Sequence, residues 1–557
     1  MKNKFLLIFI PVFLISCGME APVITSIDPK IGRMGEIITL TGSNFGESRN
    51  ESYVSIAGIS PTNSSYYLWE DDRIIIRVPE LGESGLVYIH VNGKKSNGVL
   101  FSNSASVPRP VEGEEFGLEP RIAEVNPQTG IPGSIISITG TNFGISRENS
   151  LQLISQQQSA SHAASQAYGV FFSWDYELGA NNPFAVRDPE YIEVSETELG
   201  YESWSQREVR VRIPDGAISG NLEIRTPNGV SRPVYFEVSG KPGNKIFKDK
   251  RSYTVTYSVD VKIHDASRPN TLYLWIPKPI ISPSQRNVTL VSRNVEPFAE
   301  NHRGVSLYKL ENLGTGANQS INLSFRVDVY AVETSMRPSS IRQERLPLSA
   351  LYTHSTLLLP SDHQQVRTTV NFIIGREQNV YLKAKAIYDW IINNIYISDE
   401  HLLDTNVITA LDRKRADSYT AALLFTTMSR AAGIPCIPIA GVLVDKNGWT
   451  DHHYWAEVWI DGFGWIPVDP AMGSGAITFI NSAQITDNPV SYYFGNVDSS
   501  RIAFSRGEVV LSQMESRGRI VYHKQSYSLQ NIWEEAAGGL ESYSSLWRDI
   551  SISGIYQ

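Results

Sequence analysis

Cysteine is nearly absent: the 557 residues contain two, Cys17 and Cys436. Two thiols cannot build a cysteine-based zinc cluster. With Cys17 at the end of an export signal, only Cys436 remains within the folded part, so no intramolecular disulfide staples it and stability has to come from packing. Basic charge is also scarce. Lysine and arginine number 49 against 58 acidic residues, a net charge of −9, and no long basic run could neutralise a phosphate backbone. Nucleic acid is therefore excluded as an expected partner. Long apolar runs are missing beyond the N-terminus, so no membrane-spanning helix is expected. The length is far beyond a single core and predicts three or four domains.

What is present begins with Met1, Lys2, Asn3 and Lys4, followed by an apolar stretch from Phe5 to Ile15. A charged start and a short apolar segment describe a secretory signal over residues 1–16, too short to span a bilayer. Leu14, Ile15, Ser16 and Cys17 then resemble the bacterial lipobox. The resemblance implies that Cys17 is acylated and becomes the mature N-terminus, so the membrane is a partner through lipidated Cys17. The protein is then exported and lipid-anchored in the bacterial cell envelope, on its periplasmic or surface face.

The chain repeats itself. Pro22, Ile24, Pro29, Gly32, Gly35, Gly42, Asn44, Phe45 and Gly46 recur 98 residues later as Pro120, Ile122, Pro127, Gly130, Gly133, Gly140, Asn142, Phe143 and Gly144. Trp69, Arg77, Pro79 and Gly85 recur at an offset of 135 as Trp204, Arg212, Pro214 and Gly220, so the second copy carries 135 − 98 = 37 extra residues between Leu151 and Trp204. Short alternating runs cut by Gly, Asn and Pro predict β-sandwiches. The pattern resembles the immunoglobulin-like IPT/TIG family over 22–103 and 119–239, implying Ig-like domains at 17–103 and 119–240. Members serve as spacers, adhesive modules or partner-binding domains, so the fold leaves the role open. The insertion starts Gln-, Ser- and Ala-rich, Gln156 to Gln166, and continues with Phe171, Phe172, Trp174 and Tyr176. It reads as an elaborated surface loop or as a binding loop with exposed aromatics.

After Gly240 to Gly243, two runs alternate strictly: Tyr253, Val255, Tyr257, Val259, Val261 and Ile263, then Ile321, Leu323, Phe325, Val327 and Val329. With Leu272 to Ile276 they predict a small β-domain over 248–345. Ile387, Trp390, Ile391 and Ile395 fall at helical spacing. A second helix starts near Asp417 and Ser418 and stops at Gly433 with Pro435 beyond. Strands follow over Ile437 to Val444, His453 to Ile460 and Trp465 to Val468, leading into Asp469.

His453, Tyr454, Trp455, Ala456 and Glu457, then Gly464 to Pro470, resemble the transglutaminase-like superfamily. Upstream, Tyr388 to Trp390 and Ser429 to Pro435 also look like its bacterial members. The resemblance covers 355–480 and implies an α+β, papain-like core. Residues 481–557 form a C-terminal extension, in which Tyr493 to Asn496 and Arg501 to Arg506 look like a tail often attached to such domains. The whole is then multi-domain and mostly β. In this family a cysteine opening the second helix attacks an amide carbonyl, a histidine shuttles the proton and an aspartate orients the histidine. The match places His453 and Asp469 in those roles and Ser418 where the cysteine belongs.

A hydroxyl has a pKa far above a thiol's, so the preformed thiolate–imidazolium pair cannot exist here. Either Asp417 and Ser418 cap the helix while His453 and Asp469 persist as a structural pair, or Ser418, His453 and Asp469 form a serine hydrolase triad. Cys436 stands at the far end of the helix and reads as a core residue. Strand neighbours face opposite ways, so His453 rather than His452 enters the site. Trp455 and Trp465 read as core and groove wall. Ligand spacing supports no metal, and no cofactor is implied. Three functions stay open: a peptide- or cell-wall-polymer-binding lipoprotein with weak or no catalysis, a Ser/His/Asp amide hydrolase or acyltransferase, and an adhesin or scaffold acting through the repeats.

Overall fold

The computed structural model describes residues 21–556 apart from 33–34, 80–83, 104–118, 145–167, 176–189, 196–199, 240–242, 303, 342–351, 403–405 and 481–484. The expected export signal and Cys17, the Gln156 to Gln166 stretch and Tyr176 lie outside the described residues. Among the described residues no helix is long and apolar enough to cross a membrane.

Both repeats fold into two-sheet sandwiches. In the first, Val23–Asp28, Ile37–Ser43, Arg73–Arg77 and Tyr66–Trp69 lie side by side in that order; in the second, Arg121–Asn126, Ile135–Thr141, Glu208–Arg212 and Tyr201–Trp204 do the same. The repeated residues explain themselves. A Cβ on Gly42 would collide with the Val23 carbonyl oxygen, and one on Gly140 with that of Arg121, so only glycine lets the first two strands approach. Trp69 Nε1 donates to the Phe45 carbonyl at 2.9 Å, and Trp204 Nε1 to that of Phe143 at 3.1 Å.

The insertion is not one loop. Phe171, Phe172 and Trp174 form the strand Gly169–Trp174, which pairs with Gly220–Thr226 as Tyr53–Ile56 pairs with Gly85–Val91 in the first copy. It belongs to the sandwich, and its aromatics are 4%, 1% and 2% exposed, which corrects the exposed-aromatic reading. What the insertion does add is an extra strand, Glu190–Glu193, on the outer edge of that sheet.

The third domain is organised by β1 (Gly243–Pro277), in which the apolar face of the alternating run Tyr253 to Ile263 is buried. It pairs with β4 (Asn318–Met336) along most of that strand and with β3 (Val305–Glu311), while β2 (Gln285–Arg293) lies outside β4. β9 (Glu534–Trp547) and β10 (Ser551–Tyr556) also pair with β1. Residues 481–557, set apart as an extension in the sequence, are therefore divided between two sheets. Pairing between residues nearly 300 positions apart leaves no local periodicity, so only the assembled sheet reveals it.

In the last domain α1 (Gln364–Ile374), α2 (Val380–Asn394) and α3 (Val407–Arg413) surround α4 (Ser418–Ala431), in which Ser418 to Arg430 are all buried. A sheet with the order β7, β6, β5, β8 packs on its other side, where β5 is Cys436–Val444, β6 Thr450–Ile460, β7 Gly464–Val468 and β8 Arg501–Arg506. The domains are tied together at Lys245, whose Nζ donates to Asp215 Oδ1 at 2.7 Å and to the Trp465 carbonyl at 2.6 Å.

Candidate active site

The site is built where the N-terminus of α4 meets β6. Asp417 is the cap: its Oδ1 accepts from Thr420 N at 2.8 Å, while Oδ2 accepts from Leu402 N and Gln525 Nε2, both at 2.9 Å. Ser418 is the first helical residue rather than the cap, so capping is carried by Asp417 alone. Its neighbour Tyr419 packs edge to face on Tyr454 of β6, ring centroids 5.0 Å apart.

One residue before Tyr454, His453 Nε2 lies 2.8 Å from Asp469 Oδ2, with both side chains 1% exposed. Asp469 reaches this point because it caps the short helix α5 (Pro470–Ser474), its Oδ1 accepting from Met472 N at 3.0 Å. An ionised carboxylate only accepts, so Nε2 of His453 is the donor in this contact. No hydrogen bond joins Ser418 Oγ to His453 among the described residues, and Ser418 is only 4% exposed.

Arg501 completes the site and was missed by the sequence. It opens β8, 3% exposed, with Nη1 donating to Asp469 Oδ2 at 2.8 Å and Nη2 to Asp498 Oδ2 at 2.7 Å. An arginine opening an apolar strand three residues after an aspartate was the available signal, since buried cations are almost always paired. Asp469 therefore shares one oxygen between the imidazole and a permanent cation. Burial by itself would push its carboxyl up, but His453, Arg501 and the Met472 N–H outweigh it and hold it at about 2. Burial likewise works against the charge on Asp498, and Arg501 overcomes it, lowering that carboxyl.

A folded-state value near 2, below that of an unfolded aspartate, stabilises the fold by roughly 2–3 kcal/mol. A depressed carboxyl contributes fully above its unfolded value, and the contribution is lost as the pH falls from about 5 towards 2. Urea midpoints measured across that window should decline in the wild type and decline less steeply in Asp469→Asn. Parallel slopes would refute a linked Asp469.

The other sequence candidates are placed differently. Trp455 stacks on His453 with centroids 6.3 Å apart, and the Arg501 Cζ sits 5.0 Å from its ring centroid. Trp455 and Trp465 are 5% and 6% exposed. They line a partly open pocket of about 40 Å³ shared with Asp215, Lys245 and Gln285 of the other domains, room for a few waters. His452 turns to His401 and Tyr527, with ring centroids 6.4 and 6.0 Å away. Cys436 is fully buried and its thiol is pushed up to about 12 by desolvation. It pairs with Val458 while His453 pairs with Gly441, five strand positions away or about 17 Å.

Residues 367–470 match the model of the transglutaminase-like superfamily, and residues 22–106 and 120–171 match the IPT/TIG domain. The chain carries a transglutaminase-like core. That core includes Ser418, His453 and Asp469, whereas Arg501 lies beyond the matched segment. Among curated proteins the chain is similar to the uncharacterized protein YebA of Bacillus subtilis, 22% identical over 64% of this chain and 49% of that one. It is also similar to cyclomaltodextrin glucanotransferase of Paenibacillus macerans, 26% identical over 15% of this chain and 12% of that one. The chain thus spans half or less of these relatives. Solved structures to which the chain is similar include a Cytophaga hutchinsonii protein provisionally named a cysteine protease. It is 15% identical with a TM-score of 0.35, over 56% of this chain and 92% of that one. The periplasmic domain of TgpA from Pseudomonas aeruginosa is 14% identical with a TM-score of 0.23, over 38% of this chain and 87% of that one.

Proposed function

We propose that this is an exported, lipid-anchored protein of the bacterial cell envelope whose transglutaminase-like core carries out no acyl-transfer turnover. Anchoring rests on Leu14 to Cys17. The observation that carries the non-catalytic reading is the state of the nucleophile position: a serine, 4% exposed, with no hydrogen bond to a histidine that is itself 1% exposed.

Two further features support it. Serine needs a general base in contact to become nucleophilic, whereas a thiol would not. Arg501 also draws on the Asp469 oxygen that would otherwise stabilise an imidazolium on His453. The intact 2.8 Å contact of His453 with Asp469 favours a second reading, a serine amide hydrolase that opens before it reacts.

One experiment separates them. Membranes from bacteria producing the full chain, its Cys17→Ser variant or its Ser418→Ala variant are treated with a serine-reactive fluorophosphonate and with amide substrates. The expected result is membrane retention that Cys17→Ser abolishes, and no labelling or amide cleavage in any sample. Labelling of the wild type that disappears in Ser418→Ala would sink the non-catalytic reading.

A further inference from the structure

The two repeats share their cores but not their outer surfaces. In the first, the sheet of Ile31–Gly32, Val99–Asn103, Gly85–Val91 and Tyr53–Ile56 turns Val87, Ile89 and Phe101 inward, all fully buried. Alternate residues face out, and three of these are apolar and exposed: Ile31 by 64%, Leu86 by 43% and Leu100 by 58%. Leu86 and Leu100 are direct cross-strand partners, and Ile31 pairs with Ser102, two residues on from Leu100, so the three adjoin. Tyr88 continues the face, with Lys95 Nζ 3.5 Å from its ring centroid.

The second repeat keeps the inner positions apolar as Leu222, Ile224 and Phe236. Its outer positions differ: Thr129, Asn221 and Glu223 stand where the first has Ile31, Leu86 and Tyr88, and Tyr235 stands for Leu100. The sandwich therefore folds without an apolar outer face, and packing does not account for the one in the first copy.

What sets the first copy apart is its place in the chain. Four residue steps lead from Cys17 to Ala21, about 14 Å at full extension. The strand that follows is clamped to this same sheet, since Ile24 N donates to Asn97 Oδ1 at 2.8 Å and Asn97 Nδ2 donates to the Ile24 carbonyl at 2.9 Å. A lipid on Cys17 is thereby held near Lys95 and Tyr88. Leu86 lies four residues along its strand from His90, the partner of Lys95, or about 14 Å farther from the anchor. Lys30, Lys94 and Lys95 are exposed at the two ends of the sheet.

We infer that this sheet lies flat on the membrane that holds Cys17, with Ile31, Leu86 and Leu100 in the boundary between headgroups and acyl chains. The inference rests on the lipid anchor proposed above. Tyrosine and lysine suit the headgroup level, because the ring or stem is buried while the polar tip stays wet. Tethering keeps the bilayer at high effective concentration, so a patch too small to hold a free protein to a membrane can orient an anchored one. A protein partner has no such tether, and this favours the lipid surface.

The test uses the full-length lipidated protein as Leu100→Cys and Tyr235→Cys variants, each labelled on the new thiol with the fluorophore NBD. Cys436 is 0% exposed and an acylated Cys17 cannot react, so the label goes to one place. The proteins are reconstituted into vesicles of phosphatidylcholine and phosphatidylglycerol. A nitroxide carried on the lipid just below the headgroup should quench the Leu100→Cys label by about half or more, because apolar side chains of surface-lying elements sit about 5–10 Å deep. The Tyr235→Cys label, at the equivalent exposed place of the second repeat, should stay bright. Adding Leu86→Asp should relieve the quenching without releasing the protein from the vesicles; circular dichroism checks that it folds.

Vesicle flotation separates this inference from the one beneath it. A wild type that does not float would sink the lipid anchor and the inference with it. Flotation with an unquenched Leu100→Cys label, equal quenching of both labels, or quenching that survives Leu86→Asp would overturn the docking alone. A blue-shifted label that the lipid nitroxide does not quench would mean that a protein covers the face, and would overturn it as well.

Discussion

Arg501→Met should destabilise the protein by about 3–5 kcal/mol, the usual consequence of removing one partner from a buried charge network. The guanidinium is 3% exposed and holds Asp469 at 2.8 Å and Asp498 at 2.7 Å. Without it, two carboxylates stay buried with His453 and the Tyr493 hydroxyl as their remaining side-chain partners. Arg501→Lys should restore little, since an ammonium lacks the planar fork that bridges two acids. The double variant Arg501→Met, Asp498→Asn should be less destabilised than the two single effects added, because the residues share one network. Urea unfolding followed by tryptophan fluorescence measures all of these. A loss below about 1 kcal/mol for Arg501→Met would mean that the network behaves like a surface ion pair.

Removing residues 531–557 should abolish cooperative folding of the C-terminal half. The deletion takes away β9 and β10, which pair with β1 from Val259 to Leu274 and from Ser252 to Thr256. It also strips Trp533, Leu540 and Ile550, exposed by 0%, 2% and 3%, from the core beneath β1. Each such side chain contributes about 1.5–3 kcal/mol by burial. Three together rival much of the stability of an ordinary domain, about 5–15 kcal/mol. The backbone of β1 would also lose the hydrogen-bond partners it has on β9 and β10. Calorimetry of the truncated chain should show no sharp transition for this part, with the truncated protein recovered aggregated. A soluble truncation that melts near the wild-type temperature would show that residues 531–557 are dispensable decoration.

Both experiments concern contacts that no stretch of sequence displays. Asp417 meets Gln525 across 108 positions, and Asp469 meets Arg501 across 32. The motif residues behave otherwise. His453 lies on one arm of a hairpin and Asp469 directly follows the other, so a spacing of sixteen was enough to join them. The N-terminus of α4 was visible in Asp417 and its end in Gly433, which has a positive φ of 75°. Trp455 and Trp465 were recognisable as apolar residues of that hairpin. Whether they walled an open groove depended on the second repeat and the third domain closing over them.

By itself, then, the sequence determined the features set by short-range geometry. These are the repeated glycines that allow close strands, the alternation of β1 and β4, and the helix cap. Tertiary structure alone decided whether Ser418 touches a base, that Arg501 shares Asp469, and that the C-terminal strands complete a distant sheet. The physical reason is range. Capping, turns and strand alternation act over a few residues and leave a local pattern, whereas burial, charge pairing and sheet completion depend on which distant segments share a dry interior.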